Sequence, residues 1–215
     1  MATTKEKIWL AVAAFAIGGA FAAFAKGKNS DSDSDSNSET NMNKGQTDAK
    51  SNRDGVTPAV WNQNPLNVKV RIRNKKITRI YPGDISTDGT EHIMFDNWTN
   101  GAAGAMIHLW RYLNGDVAGN VYEAGTRLNT IERIINTWAP KSDPKNDTEG
   151  YIRFVERETN INRRTTLSFK RDTILLLVKV MSMMEDRTAT TQVTPSVLSE
   201  AWDVATKYLQ AQNRL

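Results

Sequence analysis

The chain has 215 residues, no cysteine, two histidines, and 28 basic against 24 acidic side chains, for a net charge of +4. The missing cysteines exclude disulfides and thiolate metal sites, and two histidines leave little room for a zinc enzyme or a Ser-His-Asp triad. No dense Lys/Arg stripe points to nucleic acid, no cofactor or metal is implied, and the mild basicity suits an anionic polymer.

Residues 8–25, IWLAVAAFAIGGAFAAFA, carry no charge and are bracketed by Lys5, Lys7, Lys26 and Lys28. As a helix they would run roughly 27 Å, close to the ~30 Å hydrocarbon core of a bilayer, which predicts an N-terminal transmembrane helix within a 1–28 membrane anchor. The competing reading is a signal peptide cleaved after Ala23-Phe24-Ala25. The apolar run exceeds the ~7–15 residues usual for a signal core, which favours the anchor. Residues 29–55 have almost no apolar side chains and cannot offset chain entropy by burial, so they read as a disordered polar linker. Their DSDSDS run lacks the turn glycine and spaced glutamate of a calcium loop. The segment to Lys28 carries +3 and the linker −3, which leaves +4 for 56–215. Those residues are enough for one domain with a real core.

Within the domain, Val68 to Ile80 alternates apolar and basic residues around Asn74-Lys75, a β-hairpin pattern. Tyr81-Pro82-Gly83-Asp84 reads as a turn, Asp84 to Gly89 as loop, and Glu91 to Phe95 as a short third strand. Helices are expected from there on. The first runs from Trp98 to Leu113 behind an Asp96 or Asn97 cap, with glycines and alanines thinning its first turns. The second, Leu128 to Trp138, places Ile131, Ile134, Ile135 and Trp138 on one apolar stripe and stops at Pro140. Asp147 or Thr148 caps a third with Tyr151, Ile152 and Val155 inward. Asp172 caps a strongly apolar fourth, Ile174 to about Glu185. Thr194-Pro195 opens the last, to about Gln210. The fold class expected is mostly α with a small β hairpin.

Several short motifs recur in this order elsewhere. They are NQNPLNVK (Asn62 to Lys69), FD (Phe95, Asp96), NTIERIINTWAP (Asn129 to Pro140), NDTEGYI (Asn146 to Ile152) and MMED (Met183 to Asp186). Together they resemble a group of phage virion structural proteins whose pattern is NNPGNIR, phenylalanine-aspartate, NTI-x-x-II-x-x-WAP, ENDT-x-x-YI and a late HENG. The layout is also similar to the glucosaminidase and lytic transglycosylase branch of the lysozyme superfamily, circularly permuted so that the asparagine-rich loop comes first. The resemblance implies a lysozyme-like α+β domain over 56–215 that degrades peptidoglycan glycosidically. It also implies a virion or host-membrane location with peptidoglycan, lipid through 8–25, and capsid proteins as partners. The alternative is a non-catalytic virion membrane protein that keeps the fold. Here the NPGN glycine is Leu66, HENG reads MEDR, and the loop Asn114 to Arg127 is longer than usual.

On this reading Glu185 is the general acid. A carboxyl ending an apolar helix is desolvated and feels the negative end of the helix dipole, and both raise its pKa. Its other reading is an exposed helix-end carboxylate. Glu91 is the second catalytic candidate, against a solvated side chain in the β region. Asn64 and Asn67 are candidates for a sugar N-acetyl group, against holding their own loop by side-chain-to-backbone bonds. Tyr151 is a candidate for lining the sugar groove, against a place in the core. Trp138 reads as core.

Overall fold

The computed structural model describes residues 56–69, 71–73, 76–78, 81–87, 92–116 and 125–215. A single helical turn, α1 (Pro58–Trp61), starts on a proline, whose fixed φ suits a first helical position. Strands β1 (Arg71–Arg73) and β2 (Lys76–Thr78) pair antiparallel with Arg73 opposite Lys76. A second antiparallel pair joins β3 (Asp84–Thr87) to β4 (Ile93–Phe95), with an irregularity between Asp84 and Ser86.

Six further helices follow among the described residues. In α2 (Trp98–Asn114) the Asn97 side chain accepts from the Asn100 N–H, and Gly115 closes the helix at φ +72°, a left-handed cap that glycine adopts at no steric cost. Helix α3 (Ile131–Trp138) is capped by Thr130, and α4 (Thr148–Thr159) by Asp147. Helices α5 (Arg171–Glu185) and α6 (Arg187–Gln192) meet at Asp186, and α7 (Pro195–Ala211) starts behind the Thr194 cap. Helix α2 packs along α7 and also meets α5 and β4. Helix α5 additionally packs against α4, α6 and α7. Both α2 and α5 are buried over most of their length, as their near-continuous apolar sequences require.

The expected fold class needs correction. Among the described residues there are two separate β ribbons in place of one hairpin, because Asp84–Thr87, read as loop, pairs with Ile93–Phe95. No helix of the described residues is long and apolar enough to cross a membrane. Residues 8–25 lie outside the described set, and neither a single-pass N-terminal anchor nor the membrane localisation that rested on it is supported.

Local boundaries also move. Asp172 sits in the first turn of α5, complementing the helix dipole, while Lys170 holds the cap position without a side-chain bond. The second helix starts at Ile131, three residues later than its periodicity suggested, because Thr130 takes the cap.

Candidate functional site

The loop after α1 is organised by one asparagine. Asn64 is fully buried, donates through Nδ2 to the Val68 and Ile93 carbonyls at 2.9 and 3.0 Å, and accepts from the Val68 N–H at 2.8 Å. It staples the loop to β4, and its hydrogen bonds go to backbone with nothing turned toward a substrate. Asn67, three residues on, has φ +50°, a left-handed conformation that asparagine tolerates better than most residues. Its Nδ2 donates to Glu185 Oε2 at 3.2 Å.

Two more donors meet the same carboxyl from other elements. Trp138, ending α3, donates its indole N–H to Glu185 Oε1 at 2.9 Å. Tyr151, on α4, has its hydroxyl 3.2 Å from the same Oε1 and 3.4 Å from the Met181 carbonyl. Glu185 is the last residue of α5 and is half-buried. Residues separated by more than a hundred positions therefore converge on one carboxyl group.

Burial dominates the electrostatics there. Desolvation raises the Glu185 pKa above the ordinary carboxylate value, and the bonds from Asn67, Trp138 and Tyr151, with a smaller contribution from His92, offset it only in part. His92 is brought near by its bridge to Lys69, just beyond Asn67. Burial, and then the Glu185 charge, push the Tyr151 phenol well above its usual range, so it is a neutral donor.

Asn67 has a second feature. Its Oδ1 is buried and has no hydrogen-bond partner. A buried acceptor without a partner carries a desolvation cost. The amide can also turn over. With Oδ1 toward Glu185 it would accept from the protonated acid, whereas Nδ2 serves the ionised form, so Asn67 is suited to both protonation states.

The site candidates therefore divide. Glu185, Asn67 and Tyr151 come together, with Tyr151 buried against the carboxyl, where it cannot line an open groove. Asn64 is a structural staple. Glu91 lies outside the described residues. Trp138, read as core, is half-buried and belongs to the site. Its signal was the indole N–H, which needs a partner whenever the ring is buried. Asp186, part of the MEDR departure, caps α6 by accepting from the Ala189 N–H at 2.7 Å. Among the described residues no group of three His, Asp or Glu side chains is arranged to hold a metal ion.

Trp138→Phe should keep most of the packing and delete one donor to the carboxylate. The Glu185 titration midpoint should then move further up, as carbon-detected NMR of the carboxyl would show. A downward move would mean that the indole bond does not stabilise the ionised form.

No protein family matches this chain, and no curated protein matches it.

Proposed function

We propose that this chain cleaves glycosidic bonds of peptidoglycan with Glu185 as general acid, in the phage setting its motifs suggest. The observation that supports this best is the carboxyl itself: half-buried, raised in pKa, and held by three neutral donors from a loop and two helices. An acid that must protonate a leaving oxygen near neutral pH needs a raised pKa and a fixed direction.

In this reading the Glu185 proton passes to the glycosidic oxygen as the C–O bond breaks. The resulting carboxylate is stabilised by Trp138, Tyr151 and Asn67. Water then adds to the oxocarbenium-like carbon and returns its proton to Glu185. The test is incubation of the full chain with purified peptidoglycan, followed by assay of new saccharide ends. Release of soluble fragments with fresh ends supports the reading. An intact polymer under conditions where the protein is folded would overturn it.

A further inference from the structure

Behind Trp138 lies a half-buried group that the proposed chemistry does not use. His108, on α2, meets the Trp138 ring edge-on, with centroids 5.4 Å apart and planes at 87°. Tyr112 flanks both rings, 4.7 Å from His108 and 6.2 Å from Trp138. His108 Nδ1 is 2.7 Å from the Tyr81 hydroxyl, and Arg111 Nη1 donates to that hydroxyl at 3.4 Å. Arg111 is itself pinned by Asp116 at 3.0 Å, and Asp116 also receives Arg214 at 2.8 Å.

Arg111 can only donate, so the Tyr81 hydroxyl accepts from it, while the same hydroxyl and His108 Nδ1 share one proton in a direction set by the imidazole tautomer. Burial, and then the Arg111 charge, push His108 down to about 3, and burial pushes Tyr81 up to about 12, so neither changes charge over the working range. Each ring is thereby held in one orientation, and the last ring in the series carries the N–H that ends on Glu185.

We propose that His108 is a positioning residue: it holds the Trp138 indole edge-on so that its N–H stays on Glu185, transmitting the rigidity of the Arg111–Tyr81 hydrogen-bond chain. The proposal rests on the role given to Glu185 above. Glu185 itself is faced by Asn67 from the loop, Trp138 from α3 and Tyr151 from α4, with His92 nearby. His108 therefore acts on one of three donors, and its loss should weaken the site without abolishing it.

The test follows the Trp138 indole proton of the full chain by NMR across the Glu185 titration, with Glu185→Gln identifying the coupled signal. In the wild type the indole resonance should move with the carboxyl. In His108→Ala that pH-dependent movement should be lost, and kcat on peptidoglycan should fall about 10-fold with KM little changed. Tyr81→Phe keeps every ring and removes the hydroxyl that links His108 to Arg111, so it should show the same loss in smaller degree. Retention of the coupling in folded His108→Ala, or in Tyr81→Phe should the first variant not fold, overturns the assignment. Loss of the coupling in a protein that hydrolyses nothing keeps the positioning role and removes the glycosidase reading.

Discussion

Glu185→Gln should fold like the wild type and lose peptidoglycan hydrolysis by at least ~10²–10⁴, the usual contribution of a positioned proton donor. The substitution is nearly isosteric. Its carbonyl oxygen can still accept from Trp138 and Tyr151, and its new NH₂ can donate to Asn67 Oδ1 once that amide turns over. The stability effect has a definite sign. A carboxyl whose folded pKa is raised contributes stability that is fully present below its ordinary value of 4.5 and is lost as pH rises through the folded value. At neutral pH the wild type bears the cost of an ionised, half-buried carboxylate and the glutamine variant does not. The variant should therefore melt higher than wild type at pH 7, with the gap narrowing below pH 4.5. A variant that melts lower at pH 7, or keeps full activity, contradicts this assignment.

Gly101→Ala should destabilise the fold by about 1–3 kcal/mol, the usual range for overpacking. Ordinarily the change would help, because alanine is better than glycine in a helix by roughly 1 kcal/mol. Here a Cβ on α2 would overlap the Gln63 carbonyl oxygen and come within 3.2 Å of Pro65 Cδ. A backbone carbonyl cannot swing aside as a flexible side chain can, and Gln63 is already held at φ +49°. The loop must therefore shift, and with it Asn67. Thermal melting should show a drop of about 2–4 °C per kcal/mol, and hydrolysis should fall further than the unfolded fraction explains. An unchanged melting temperature with unchanged activity would mean that the loop does not seat on α2.

These two variants mark how much was readable beforehand. Alternation of apolar and basic residues over Val68 to Ile80 marked the stretch in which β1 and β2 pair. Strand β3 was hidden by its setting: in the sequence Gly83-Asp84 and Asp88-Gly89 carry turn-forming residue types, and the strand, which begins at Asp84, is four residues long. Helix α6, RTATTQ, has no apolar stripe and three threonines, so neither periodicity nor propensity announced it; it depends on the Asp186 cap and on packing against α5. Asn64 and Asn67 look alike in sequence. They differ because one side chain is consumed by backbone at both its ends, while the other sits in a left-handed turn that aims it at α5. The apolar stripe of α3 correctly placed three buried isoleucines, but a stripe cannot tell which end of Trp138 is polar and where that end points. His108 carried no signal of its own, because its meaning depends on Tyr81 and Arg111 lying beside it in the folded chain.

The central claim is that Glu185 stays protonated into the pH range where a sugar oxygen must be protonated. Carbon-detected NMR of the Glu185 carboxyl in the full chain measures this directly, assigned by its absence in Glu185→Gln. A midpoint above 4.5, coincident with the alkaline limb of peptidoglycan hydrolysis, is the expected result. A midpoint at or below 4.5 would make the group an ordinary carboxylate and contradict its role as the acid.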